Sequence, residues 1–243
     1  MRKGRRGKTQ NPPKKELRIA AIMTVPRLGF TDHFINAYDA LSKIGIPLIY
    51  KQGVFWGQGL ENGIQDLMNQ YELDYILTLD YDSIFNVNDI LELAKLAMIS
   101  DADVVYPLQS MRGVNNDVLR LPTDDPLVLT DIGHFGLTLL KVSMLEKLPH
   151  PWFLGTPNKE GEWREGKTDD DIHFWNIMNE NGFKICLANN VYIGHLEILV
   201  KWPGKIYQPM SDFYKDGKPP IEAMKAGIDR LRPIDEQEVS FGT

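Results

Sequence analysis

Residues 76–85 read ILTLDYDSIF: mostly apolar residues run into Asp80-Tyr81-Asp82, and the chain turns apolar again almost at once. With Tyr75 in front, YILTL has the make-up of a buried strand. Strand side chains alternate faces, so Asp80 and Asp82 converge if the extended backbone continues that far. Two carboxylates held this close repel one another unless something positive lies between them. Ligands bind at the carboxyl ends of parallel strands, and hard carboxylate oxygens suit Mg2+ or Mn2+. The bland alternative is that Asp82 opens a turn before the next helix, since Asp-x-Asp is common by chance.

Outward from this strand, helical and extended patterns alternate over the first hundred or so residues, the pattern of a parallel sheet covered by helices. LRIAAIMTV, 17–25, reads as a buried strand stopped by Pro26. Phe34, Ala37, Tyr38 and Leu41 keep helical spacing from His33 to Ile44, and Gly45 ends that helix. IPLIY, 46–50, is the next strand, and the Gly-rich stretch GVFWGQG reads as a loop before a helix marked by Leu60, Ile64, Leu67 and Met68. Asn88 is placed to cap a helix carrying Ile90, Leu93, Ala94 and Ala97, and DVVYP, 103–107, makes a fourth strand.

The second half changes character. A polar loop from about 109 to 126 leads to GHFGLTLLKVSMLEKL, read as a strand and a short helix. The polar PNKEGEWREGK precedes a helix from about 169 to 181 stopped by Gly182, and KICLA and VYIGH read as short strands. Beyond Pro203 the composition suits a surface tail or flap.

At 243 residues and 43% hydrophobic content the chain suits one sizeable domain, with a body over 16–202, a tail over 1–15 and a C-terminal flap over 203–243. The net charge of -6 hides an asymmetry, because the first fifteen residues hold seven Lys or Arg and no acid. The body is clearly acidic, which argues against a broad nucleic-acid-binding face, although the arm suits an anionic partner or a plain solubilising role. Cys186 is the single cysteine, so no internal disulfide forms. IAAIMTV is too short and wrongly flanked for a secretory signal, and no apolar stretch reaches the ~20 residues needed to span a bilayer. The expectation is a soluble, cytoplasmic protein.

Two further features bear on chemistry. In TDDDIHFW, 168–175, Thr168 and Asp171 have the spacing of a capping box, while Asp171 also shares the stripe of Phe174, Trp175 and Met178 that faces the core. A carboxylate on that stripe is costly to bury, so it is paired or lines a cleft. His195 ends VYIGH at a strand end, where neutral imidazole suits a metal site or a purely structural role. His33, His134, His150 and His173 say less. Trp152 and Trp163 flank a polar loop and suit stacking on a sugar. Gly57-Gln58-Gly59 does not extend to a dinucleotide fingerprint, because Asn62 stands where the third glycine belongs, and there is no P-loop.

The order of these pieces over roughly residues 17–200 resembles the GT-A nucleotide-sugar-dependent glycosyltransferases, of the family 2 kind. The resemblance is carried by Thr24-Val25-Pro26, LENGIQDLM, LTLDYDSIF as the metal-binding Asp-x-Asp, GHFGLTLLKVSMLEKL beside the acceptor, TDDDIHFWNIMNENGFKI as the acidic helix, and Gly194-His195. It implies a GT-A (Rossmann-like) mixed sheet flanked by helices, and transfer of a hexose from a UDP- or GDP-sugar to a hydroxyl of a glycan, glycoconjugate or nucleic acid. By the same resemblance, Asp82 and His195 hold Mn2+ or Mg2+, with Asp80 on the metal's water shell or the donor ribose. Thr24, Pro26, Arg27, Gln52 and Asn62 serve the donor. Gly133, His134, Trp152 and Trp163 serve the acceptor. Asp170 and Asp171 take the catalytic acid pair, with Asp171 receiving the acceptor's proton. Asp170 stands where the family has Glu, and Asp169 before it leaves the register open by one. Two rival readings use the same residues: a metal-dependent phosphohydrolase or nuclease, and a nucleotide-sugar-binding module without turnover.

Overall fold

A computed structural model describes residues 17–26, 29–53, 55–110, 123–202 and 206–209. The arm over 1–15, Arg27 and most of the expected C-terminal flap lie outside the described residues.

The fold is built on an eight-stranded mixed sheet ordered β2-β1-β3-β7-β5-β8-β4, with β6 pairing to β8. Its strands are β1 (Ile19–Val25), β2 (Leu48–Gln52), β3 (Tyr75–Asp80), β4 (Ser83–Ile84), β5 (Val104–Gln109), β6 (Leu127–Thr130), β7 (Leu137–Lys141) and β8 (Ile185–His195). Helices α1 (Thr31–Ser42), α2 (Trp56–Gln70), α3 (Val87–Ile99), α4 (Val142–Leu145) and α5 (Asp170–Glu180) flank it, and β9 (Leu199–Trp202) and β10 (Ile206–Pro209) form a separate hairpin.

β1 shows why the sheet is apolar on both sides. Ala20 and Ile22 join one core cluster with Leu60, Ile64 and Leu67 of α2, whereas Ala21, Met23 and Val25 join the other with Ala37 and Leu41 of α1. A strand buried on both faces reads as a continuous apolar run, and β1, β3 and β5 do. β1 pairs in parallel with β2 and β3, but β7 enters between β3 and β5, antiparallel to both. The carboxyl ends of β1, β2, β3, β5 and β8 therefore share one edge, and β7 starts from it.

Several element boundaries depart from the sequence reading. The segment 56–59 is not loop: α2 starts at Trp56 and takes in Gly57, Gly59 and Gly63. Gly63 is needed because α2 lies against β1 so closely that a Cβ there would stand 1.8 Å from Ile22 Cδ1. The cap of α3 is Asn86 rather than Asn88: its side chain accepts the Asn88 N–H at 2.8 Å, while Asp89 accepts the Asn86 N–H at 2.7 Å, completing a capping box. The box expected at Thr168 and Asp171 does not form, because the Thr168 backbone is bridged to Thr156 and α5 is capped at Asp169. KICLA and VYIGH are one strand, β8, whose pairing with β5 shifts register between Pro107 and Leu108. Its far edge is covered first by β6 and then by β4. Among the described residues no helix is long and apolar enough to cross a membrane.

Candidate active site

The end of β3 and the turn after it place Asp80 and Asp82. Asp80 is the last residue of β3, and its Oδ1 accepts the indole N–H of Trp56 at 3.2 Å. Asp82 lies past the strand, only 2% exposed, and β4 directly behind it pairs with the end of β8, Ser83 opposite His195. That pairing brings Asp82 Oδ2 to 3.1 Å from His195 Nε2. The other imidazole nitrogen, Nδ1, donates to the Ser110 carbonyl at 2.9 Å, which orients the ring. Nε2 and the carboxylate oxygen stand within hydrogen-bond distance, a contact made favourable by a proton or a cation between them.

The same 3.1 Å separation also suits two ligands of one divalent cation in place of the direct contact. Ligands at about 2.1 Å on adjacent corners of an octahedron stand about 3.0 Å apart. Asp80 does not complete a three-residue set. Among the described residues no group of three or more His, Cys, Asp or Glu is disposed to hold a metal, so further ligands have to come from a bound molecule or water.

Neighbouring residues hold this corner. The Gln109 side chain donates to Ser83 Oγ at 3.0 Å and to the Gly194 carbonyl at 3.2 Å, tying β5, β4 and β8 together. A Cβ at Gly136 would meet Gln109 Oε1 at 2.4 Å and Ser83 Oγ at 2.8 Å, so a side chain there would displace the Gln109–Ser83 hydrogen bond. His33, uninformative as sequence, is fully buried in α1 with its Nδ1 on the Ser83 carbonyl and its Nε2 without a hydrogen-bond partner. Burial lowers its pKa, so it packs as the neutral ring.

A cavity of about 350 Å3 opens here, lined by Asp80, Tyr106, Gln109, Gly133, His134 and His195. His134 is fully committed: Nε2 donates to the Pro107 carbonyl at 2.7 Å, and Nδ1 accepts the Gly136 N–H at 3.0 Å. Burial pushes its pKa down to about 4. Its role in the fold is to pin the turn before β7 to the end of β5. A larger depression of about 470 Å3 lies at the opposite edge, where Asp74 and Lys141 are paired with Arg18 and Asp103.

The second acidic cluster reaches the same edge through α5. Asp170 Oδ2 accepts the Gly57 N–H at 3.1 Å and its Oδ1 accepts the Asp171 N–H at 3.2 Å, so this carboxylate caps the first turn of α2. Trp56 holds Asp80 and Gly57 holds Asp170: one helical turn links both acidic clusters. Asp171, half-buried, takes the Ile172 N–H at 2.8 Å. Burial raises its pKa, and Asp170 and Asp169 add to the rise, against the Ile172 hydrogen bond.

Thr24 is buried at the end of β1 in register with Asp80, and Gln52 is exposed at the end of β2, so both lie along the carboxyl edge with Pro26. Asn62 is exposed on α2. Trp163 is 62% exposed. Trp152 is corrected to a core residue: it is 1% exposed, its indole donates to the Leu148 carbonyl at 3.1 Å, and no face is open for stacking. Trp56, Gly57, His33 and Gln109 were missed; for Trp56 and Gly57 the one available signal was a run of three glycines, at 53, 57 and 59, too dense for an ordinary surface loop.

No protein-family model and no curated protein matches the chain. Solved structures do. "A197 from STIV" aligns with a TM-score of 0.51 at 16% identity over 78% of this chain and 93% of that one. "GalNAc-T7 with UDP, GalNAc and Mn2+" aligns with a TM-score of 0.53 at 11% identity over 78% of this chain and 45% of that one. The chain has a GT-A type fold. At these identities the likeness is one of fold, and it is shared with a protein whose solved structure holds UDP, GalNAc and Mn2+.

Proposed function

We propose that the chain is a metal-dependent glycosyltransferase that moves a hexose from a UDP- or GDP-sugar to an acceptor hydroxyl. The single observation that carries this reading is the Asp82–His195 pair, 3.1 Å apart at the carboxyl edge, with the imidazole oriented by the Ser110 carbonyl. Asp82 and His195 would hold Mn2+ or Mg2+, which supplies charge neutralisation for the departing diphosphate. Asp80, oriented by the Trp56 indole, faces the same cavity and serves the donor. Thr24, Pro26 and Gln52 border the space for the nucleotide.

In the transfer, the bond between the sugar's anomeric carbon and the diphosphate oxygen breaks, and a bond to the acceptor oxygen forms. The acceptor's hydroxyl proton goes to Asp171. A carboxylate whose pKa is raised by burial is the better base for this. Asp170 serves as its anchor, since the carboxylate is bonded to α2 on one side and to the Asp171 N–H on the other.

Thermal shift with UDP, GDP, CDP and dTDP and their sugars, with Mn2+ and with EDTA, tests the reading. Stabilisation by one nucleotide only with metal, lost in Asp82→Ala, is the expected result. Equal shifts in EDTA, or none at all, would overturn it. Phosphate release from the nucleotide, with no sugar transferred, would assign the same acids to hydrolysis.

A further inference from the structure

We infer that a second cleft, between the first turns of α2 and α5, binds a neutral saccharide, so that the acceptor is a glycan and not a nucleic acid. The word acceptor rests on the transferase reading; the cleft rests on its own residues. It is a cavity of about 440 Å3, lined among others by Phe55, Gln58, Gly155, Trp163, Asp169 and Asp170. That is the size of a small-molecule site.

Its exposed surface is aromatic. Phe55 is 72% exposed and Trp163 is 62% exposed. Trp163 is nevertheless placed: a Cβ built at Gly155 would lie 3.4 Å from two carbons of the indole, so the ring rests on the backbone there. The loop that carries it is closed at its base by the Thr156–Thr168 bridge, with paired backbone bonds of 2.8 and 2.9 Å. Inside the loop the Asn158 side chain accepts the Glu162 N–H at 2.8 Å and donates to the Glu165 carbonyl at 3.1 Å. A large aromatic surface held out to water on a fixed loop is ready for a ligand that covers it, with little ordering cost left.

Charge decides which ligand. The N-terminus of a helix is a ready anion site, and here the first turn of α2 is already taken by the Asp170 carboxylate through the Gly57 N–H. A phosphodiester entering the cleft would meet Asp169 and Asp170, and Lys167 beside them is engaged with Asp169 at 2.7 Å. A cationic ligand is not called for either. Asp169 has Lys167, and Asp170 has two backbone N–H groups. What the cleft still offers is carboxylate lone pairs, the Gln58 amide and aromatic faces. A sugar ring, with apolar C–H faces and a rim of hydroxyls, uses all three.

The test is saturation-transfer NMR on the full chain with the methyl glycosides of glucose, galactose, mannose and N-acetylglucosamine. A short single-stranded DNA and benzyltrimethylammonium serve as competitors. At least one glycoside should bind, neither competitor should displace it, and Trp163→Ala and Phe55→Ala should each weaken it by about tenfold. Trp163→Phe should retain most of the binding. Binding by no glycoside, displacement by the DNA or the amine, or full binding in Trp163→Ala would overturn the inference. The metal-dependent nucleotide shift is read in the same samples. Its loss with glycoside binding intact sinks the transferase reading alone, and the reverse outcome sinks the saccharide site alone.

Discussion

Asp171 combines a cost to the fold with the role of base proposed for it. Its carboxyl titrates above the ordinary range, first because it is buried and then because Asp170 and Asp169 stand close. The unfolded chain ionises this group at lower pH than the folded chain does, so the ionised form at neutral pH weighs against folding. Asp171→Asn removes that charge and keeps the shape. The variant is expected to melt at higher temperature than the parent at pH 7, and the difference should vanish as the pH falls through the unfolded carboxyl's range near 4, where both states are protonated. Sugar transfer in the same variant should drop by about 10²- to 10⁴-fold, the usual contribution of a general base. Melting curves at both pH values and a transfer assay check the two halves, and a stabilised variant with full activity would remove Asp171 from the catalytic role. Asp170 should behave differently. With its oxygens accepting from Gly57 and Asp171, Asp170→Ala uncaps α2 and should cost about 0.5–2 kcal/mol of stability, read by urea unfolding.

The link between the two acidic clusters is a property of an element, the first turn of α2. Nothing in the spacing of FWGQGLENG announces a helix start, because three glycines in seven residues argue for a loop. Two of those glycines, Gly57 and Gly63, answer to neighbours distant in sequence: a Cβ at Gly57 would stand 2.3 Å from Asp170 Oδ2 and 2.7 Å from Phe153 Cβ, whereas one at Gly59 would meet nothing closer than 3.8 Å. Gly59→Ala should therefore gain stability from helix propensity, by up to about 1 kcal/mol. Gly57→Ala should lose stability by about 1–3 kcal/mol from overpacking. Denaturant midpoints of the two variants test the contrast, and a stabilised Gly57→Ala would mean that Asp170 does not hold the turn. Local pattern made β1, β3, β5 and the cores of all the longer helices readable, since each carries its own apolar signature. It did not reveal β4, only two residues long, or β6, whose LVLT followed a polar loop. Nor did it reveal that β7 separates β3 from β5, because a strand's own residues do not name its neighbour. The candidate site divides the same way: Asp82 and His195 stood out by residue type and strand-end position, but their contact depends on the pairing of β4 with β8.

At the scale of the whole molecule, two imidazoles resist protonation, the buried His33 and the half-buried His134, and they are expected to set the acid limit. Burial lowers the pKa of His33, and it brings His134 to about 4, although the Pro107 carbonyl opposes the shift. His134 has no room for a second proton without losing the bond in which Nδ1 accepts the Gly136 N–H. Both groups bind protons more readily in the unfolded chain, where an imidazole titrates near 6.5. Stability is therefore fully present above about pH 6.5 and is lost progressively as the pH falls toward 4, the folded value for His134. For His134 alone the loss over that span is on the order of 3 kcal/mol, a large fraction of the total for a domain of this kind. His134→Gln keeps one acceptor and one donor near the same positions without a group that titrates. Its urea midpoint should lie at or below the parent's at pH 7 and decline less steeply toward pH 4.5. Parallel declines in the two proteins would place the acid limit elsewhere, in the carboxylates. A shallower decline would tie the acid limit to protonation of that one imidazole, which pins the turn before β7 in the wall of the cavity shared with His195.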